Sequence, residues 1–393
     1  MKVALETHKL DPTNPLAWSG LPHAMLNMLT GMEGVEVDIL GPLDPGLRLP
    51  EGVRKMYWEF RSQRYLWAVE PRITALYGRQ LTQKLEISKP DVVLSLTTIG
   101  AAALPVGTPF VVYHDSTLKL NQDYYPYYSN ICRRSDTYGH AVDQQAFRRA
   151  RHVIVTSEWA AASVVNDYGA KPERVSFIPI GAQHVCSLNL EAIEVHARPR
   201  FARPMRLLWM GADWERKRGD FAIAVATEMH SRGFPVDLQM VGALPPDDAR
   251  ALPYVRAHGF MDRRTQQKVL EDILLSSFAM LLPSMAENSP IGIADCASFG
   301  VPTLASDTGG IGSMISHDIT GALLPLDASP AAYADVLERL WSDQAAYMDM
   351  VRATRRRFEA ELSWDAAKIR IREVLFAAAR NEPIGQRATI FAK

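Results

Sequence analysis

The sequence predicts an α/β protein built from two Rossmann-like parallel-sheet domains, and three observations carry that prediction. At 393 residues the chain exceeds what one hydrophobic core comfortably organises. Short apolar runs alternate along it with segments of helical period, the order that builds parallel sheets with crossover helices. The alternation fades once, over about 183–203, and resumes at Met205. The expected division is therefore 1–185, a linker at 186–203 that turns rich in Arg and Pro from Ala197, a second domain at 204–362, and a last helix with its tail at 363–393.

Composition narrows the function classes. Hydrophobic residues at 47% and charged ones at 22% describe an ordinary globular chain. Lys and Arg number 43 against 44 acidic residues, a net charge of −1, which argues against nucleic acid as the main partner. Cys132, Cys186 and Cys296 are widely spaced and odd in number. They suit neither a disulfide framework nor a zinc site, and a reducing compartment is expected. The N-terminal Met-Lys-Val-Ala-Leu-Glu lacks the apolar core of a signal peptide, and no run is long enough for a bilayer span. A cytoplasmic protein is expected, with peripheral contact at an inner membrane face left open through Arg218 and Arg355-Arg-Arg. A solvated helix face accounts for that triplet more simply.

In the first half, Val3–Glu6 reads as a strand, Leu21–Met32 as a helix and Val35–Leu40 as the second strand. The loop between them holds Trp18-Ser-Gly-Leu-Pro, with Gly20 ahead of the helix; without G-x-G-x-x-G a dinucleotide site is weakly supported, and a simple turn explains the loop equally well. Arg54–Phe60 is expected as a third strand and Pro71–Leu85 as a helix. Asp91–Leu96 and Pro109–Tyr113 are buried strands, the latter running into His114-Asp115-Ser116. A His at the carboxyl end of a parallel strand stands where such sheets bind ligands, with a structural role as the even alternative. The tyrosine-rich 123–128 is expected to pack against Phe147 or Trp159. Helices at Asp136–Arg151 and Glu158–Tyr168 alternate with strands at His152–Ser157 and Val175–Ile180.

The second half restarts with a strand at Met205–Met210, a loop Gly211-Ala-Asp-Trp-Glu-Arg-Lys-Arg-Gly219 and a helix at Asp220–Arg232. Cations in a loop ahead of a helix N-terminus suit a diphosphate, although a surface basic turn fits too. Val236–Val241 and Tyr254–Phe260 are strands, and Arg264–Leu275 a helix. The stretch 278–316 reads strand, loop, helix, strand, glycine loop, helix. Ser289 is the expected N-cap, with Pro290 at the first helical position and Gly300 as the stop. That helix is apolar nearly all round, so its one carboxylate, Asp295, has to be hydrogen-bonded. With Glu287 in the preceding loop, and Gly309-Gly310 expected to open another helix, the stretch joins acceptors for hydroxyl groups to N–H donors for a phosphate. Phosphate beside polyhydroxyl describes a nucleotide sugar. Three helices, Pro330–Trp341, Gln344–Leu362 and Trp364–Arg380, close the chain ahead of a loosely held tail, 381–393.

Pro283-Ser284, Glu287-Asn-Ser-Pro, Asp295, Gly300-Val-Pro, Ser306-Asp-Thr-Gly-Gly and Gly321 together resemble the signature of retaining glycosyltransferases of the GT-B fold, family four. The resemblance implies two Rossmann-like domains facing each other across a cleft, the last helix crossing back to the first, and transfer of a sugar to a glycan, lipid-linked or small-molecule acceptor with no cofactor and no divalent metal. It implies donor contacts from Gly20, Gly259, Asn288, Ser289, Pro290, Ile291, Gly309 and Gly310. It places Lys217 on the diphosphate, with Arg216 taking the role of an absent Gly-Arg, Glu287 on the sugar, and His114 by the reacting carbon. Asp295 stands where the family's E-x7-E motif has its second Glu, the ribose contact. Two alternatives share such a fold, a nucleotide-sugar epimerase and a non-catalytic nucleotide-sugar-binding protein. An NAD-dependent dehydrogenase is disfavoured by the missing glycine fingerprint.

Overall fold

A computed structural model describes residues 1–46, 49–201 and 204–383. The chain divides into two compact units, Met1–Pro179 with the described part of the segment from Ala367, and Ile180–Ala366. Each is a six-stranded parallel sheet covered by helices, the expected α/β class.

Unit one contains β1 (Lys2–Glu6), β2 (Glu36–Ile39), β3 (Val92–Ser95), β4 (Phe110–His114), β5 (His152–Val155) and β6 (Val175–Phe177), in the order β2-β1-β3-β4-β5-β6. The residues of β3 and β5 are buried throughout, because helices cover both faces and leave no polar side for alternation. Tyr77, Leu81, Ala146 and Phe147 bring two covering helices into the core. The chain's direction of travel across the sheet reverses between β1 and β3, which opens a crevice at their carboxyl ends.

Unit two contains β7 (Met205–Gly211), β8 (Val236–Gly242), β9 (Val255–Gly259), β10 (Ala279–Leu282), β11 (Thr303–Ser306) and β12 (Gly321–Leu324), ordered β12-β11-β10-β7-β8-β9. Its reversal falls between β7 and β10. Phe278 and Tyr347 stack in its core with ring centroids 4.2 Å apart, and the Tyr347 hydroxyl donates to the Phe278 carbonyl.

Several expectations need correction. The strand at Arg54–Phe60 is part of a helix, Leu49–Phe60. Its aromatic residues suggest a strand, but apolar positions 49, 53, 56, 57 and 60 keep helical spacing. The linker at 186–203 is not an irregular connection. It holds a helix, Leu190–Ala197, and a turn, Arg198–Phe201, packed into unit two; Ile193 and Ala197 are fully buried. The Arg200 guanidinium donates to the carbonyls of Leu275, Phe299 and Gly300. The central helix is Ile291–Ser298, and its N-cap is Pro290, one residue later than expected. Gly309-Gly310 opens only a three-residue turn, Ile311–Ser313. In the last helix Ile371, Val374, Leu375 and Ala378 are buried, while Ile369 is 65% exposed. The expected tail lies, from residue 384, outside the described residues.

Candidate functional site

The reversal point of unit two gathers the charges. After β7 the chain folds tightly onto the sheet. A Cβ on Gly211 would lie 2.5 Å from Lys217 Cδ, and one on Gly219 2.4 Å from the Trp214 ring. The Trp209 indole N–H donates to the Lys217 carbonyl at 3.0 Å, and the Lys217 amide to the Asp213 carbonyl at 3.1 Å. Lys217 is thus fixed by backbone bonds, and its side chain lies over a position where only glycine leaves room.

The loop after β10 supplies the partner. Glu287 is buried, and its Oε1 lies 2.8 Å from Lys217 Nζ, 3.0 Å from Arg216 Nη1 and 3.0 Å from the Ser284 hydroxyl that donates to it. Arg216 Nη1 also donates to the Ala286 carbonyl, and its Nε pairs with Asp213 at 3.1 Å. Burial disfavours an ionised Glu287, but Lys217 and Arg216 outweigh it and hold the carboxyl below its ordinary range. The result is an ion cluster of two cations, each 17% exposed, around one buried carboxylate. Asn288 and Ser289 continue the same loop, half-buried, towards the buried Pro290 and half-buried Ile291.

The other expected donor contacts are distributed differently. The Gly310 amide donates to the Glu287 carbonyl at 2.9 Å, so that N–H braces the loop. Gly309 beside it is left-handed, φ 54°. Gly259, φ 67°, ends the edge strand β9. Asp295 is 4% exposed, and its carboxylate accepts from the amides of Gln183 (2.6 Å) and His184 (2.9 Å), with His184 Nδ1 2.9 Å from Oδ2. It anchors residues 183–184, just after the chain enters unit two. Ser284 and His184 were not anticipated as partners. Ser284 was legible in the Pro-Ser pair, whereas nothing local marks His184.

Unit one has a cavity of about 310 Å³ at its own reversal point. His8, following β1, and Thr97, following β3, line it together with His114, Trp18 and Trp67. His114 Nδ1 lies 3.2 Å from the Leu96 carbonyl. A carbonyl only accepts, so Nδ1 carries the hydrogen. The Trp18 ring lies 6.1 Å from that of His114. Trp18, Ser19 and Gly20 are all left-handed, with φ of 44°, 54° and 83°, and Gly20 caps the helix Leu21–Thr30. Two non-glycine residues in that region store strain of about 1–2 kcal/mol each.

Beneath this cavity Glu6 is fully buried; its carboxylate accepts from the Ser95 hydroxyl at 2.6 Å and the His8 amide at 2.5 Å. Burial pushes its carboxyl up to about 7. A Cβ on Gly100 would come within 1.9 Å of Glu6 Oε2. Burial pushes His8 down to about 3, and its Nε2 has no hydrogen-bond partner among the described residues. Sequence reasoning missed both residues, although each stands at the end of the first strand.

Comparison with known proteins follows the same division. Residues 24–184 match the model "Glycosyltransferase Family 4" and residues 204–343 match "Glycosyl transferases group 1". The chain is 25% identical over 249 residues to the α-D-kanosaminyltransferase of Streptomyces kanamyceticus, covering 61% of this chain and 62% of that protein. It is 27% identical over 216 residues to a D-inositol 3-phosphate glycosyltransferase of Arthrobacter, 52% of this chain and 50% of that one. The matches therefore span about half to three fifths of these curated relatives. Among solved structures, sucrose-phosphate synthase of Thermosynechococcus elongatus superposes with a TM-score of 0.66 at 17% identity, covering 96% of this chain and 99% of that one. HepE of Anabaena, solved in complex with UDP, superposes with a TM-score of 0.66 at 15% identity, covering 96% and 100%. Those two likenesses concern the fold.

Proposed function

Because the chain belongs to the family-four, group-1 glycosyltransferases, we propose that it moves a sugar from a nucleotide-diphosphate sugar to a hydroxyl-bearing acceptor, with retention at the anomeric carbon. The observation that carries this reading is the convergence of Lys217 and Arg216 on Glu287, within 3.0 Å, at the reversal point of a parallel sheet. Relatives solved with UDP and UDP-glucose support the donor class.

The bond that breaks joins the anomeric carbon to the β-phosphate oxygen. The departing diphosphate gains negative charge, and Lys217 and Arg216 are the fixed cations assigned to stabilise it, with no divalent ion required in this scheme. Glu287 accepts hydrogen bonds from sugar hydroxyls once the cations turn to phosphate. Asn288, Ser289, Pro290 and Ile291 are assigned to the same donor, as is Gly309, and Gly259 is assigned to its base. Asp295 keeps one further lone pair for a ribose hydroxyl beyond its three bonds to 183–184. His114 Nε2, an acceptor in the neutral ring, suits an acceptor hydroxyl. Trp18 and Trp67 beside it suit the apolar faces of a sugar ring, and Gly20 shapes that side of the pocket. We assign the acceptor to the glycan, lipid-linked or small-molecule class.

The test is a panel of nucleotide-diphosphate sugars, each with and without mono- and oligosaccharide, polyol and lipid-linked acceptors, followed by mass spectrometry. A glycosylated product with stoichiometric nucleoside diphosphate supports transfer. An isomerised donor formed without acceptor supports an epimerase instead. Donor that binds but is never consumed leaves a binding protein.

A further inference from the structure

The helix Leu49–Phe60 has its polar side turned inward. Glu51 is 2% exposed, and its carboxylate lies 3.1 Å from Arg72 Nη1 and 3.7 Å from Arg54 Nη1. Arg54 also reaches Glu70 at 3.6 Å. The outward side holds Leu49, Val53, Met56, Tyr57 and Phe60, between 51% and 91% exposed. A helix packing on a core places these residues the other way round. Single exposed apolar residues are ordinary, but a stripe along three helical turns marks a surface that is covered in use.

The charges around the stripe indicate what covers it. Among the described residues of the helix the one exposed carboxylate, Glu59, is met by Lys55 at 3.6 Å, while Arg61, just past the helix end and exposed, lies against the stripe, and Arg64 follows, exposed, three residues on. The Arg61 guanidinium lies 5.2 Å over the Tyr57 ring, and that of Arg64 lies 5.3 Å over Tyr127. In a twofold contact between copies the same patch meets itself, which tends to bring these cations near their own equivalents. An anionic bilayer satisfies both features: acyl chains receive the stripe, and headgroup phosphates receive the cations. Tyr57, within the stripe, supplies an aromatic ring that favours the interfacial depth.

We propose that the helix Leu49–Phe60 docks this protein on an anionic membrane, lying in the plane of the interface. Among the described residues no helix is long and apolar enough to cross a membrane, so the contact is peripheral. The proposal is independent of the transfer reaction, because its readout is partition onto lipid.

The experiment is co-sedimentation of the full chain with vesicles of roughly one-third phosphatidylglycerol in phosphatidylcholine, and with phosphatidylcholine alone. Binding at least about tenfold tighter to the anionic vesicles, weakened by salt, is expected. The V53D/F60D double variant should lose at least about tenfold in vesicle binding while keeping its thermal unfolding midpoint. The V106D variant, altering an equally exposed apolar residue elsewhere in unit one, should bind like the parent. Failure to bind anionic vesicles overturns the proposal, as does equal loss in V106D. Self-association that V53D/F60D abolishes, in a chain that ignores vesicles, assigns the stripe to a second copy instead.

Discussion

Glu287→Gln offers the sharpest examination of the charge cluster, because the structure makes it pull two measurements apart. Lys217 Nζ and Arg216 Nη1 lie 2.8 and 3.0 Å from the same oxygen. At an effective dielectric near 20 each contact has a gross attraction of about 6 kcal/mol, most of it offset by desolvation. In the proposed reaction an arriving diphosphate shares those cations with the carboxylate and is itself repelled by it. Glutamine keeps the shape and one acceptor oxygen but removes the charge. At the same dielectric, unit charges about 6 Å apart repel by about 3 kcal/mol; with about half of that screened by the two cations and water, the nucleoside diphosphate of the donor identified by the panel should bind roughly tenfold tighter to the variant. The complete donor should gain less, because its sugar hydroxyls lose the ionised acceptor, and turnover should fall. Isothermal titration of that nucleoside diphosphate and of its complete sugar donor against both proteins, at low and high salt, measures the two effects separately. Unchanged or weaker binding of the nucleoside diphosphate in the variant would refute the reasoning.

Three further outcomes are expected. Lys217→Ala should lower kcat by about 10²–10³ with a smaller change in donor affinity, read from initial rates of nucleoside diphosphate release; full turnover would remove Lys217 from the reaction. Asp295→Ala strips the acceptor from two amides and a histidine ring, so its thermal midpoint should drop by several degrees, about 2–4 kcal/mol. Lost donor affinity at an unchanged midpoint would instead leave Asp295 a ligand residue only. The folded chain keeps a proton on Glu6, near 7, that the unfolded chain releases from about 4.5. This contribution is full below pH 4.5 and is lost as pH rises through 7, about 3 kcal/mol in all. Urea unfolding at pH 5 and pH 8 should show that difference against Glu6→Gln; identical pH dependence in the two proteins would contradict it. His8, pushed down to about 3, works oppositely, losing stability as pH falls below 6.5, so only the comparison with the variant isolates Glu6.

The inner strands of both sheets were legible because buried parallel strands are short apolar runs that local composition cannot disguise. The loops bearing Lys217 and Glu287 were legible for a related reason, since charge in a loop after such a strand has little structural purpose. Pairing was not. That Glu287 would receive the very cations assigned to a phosphate depends on β7 and β10 lying side by side, a fact of topology rather than of spacing. Asp295 shows the same limit. Its burial followed from the apolar helix around it, but its partners at 183–184 lie more than a hundred residues upstream. The helix Leu49–Phe60 was misread because its stripe, though correctly spaced, begins before the residues taken as a strand and faces away from the core.

Gly100 carries an evolutionary consequence. Its missing Cβ is the mould into which the Glu6 carboxylate is cast. Neither position is free to drift alone: a relative bearing alanine or anything larger at 100 has to shorten or reorient the residue at 6. An aligned set in which a glutamate at 6 coexists freely with bulky residues at 100 would show that the two sites vary as strangers.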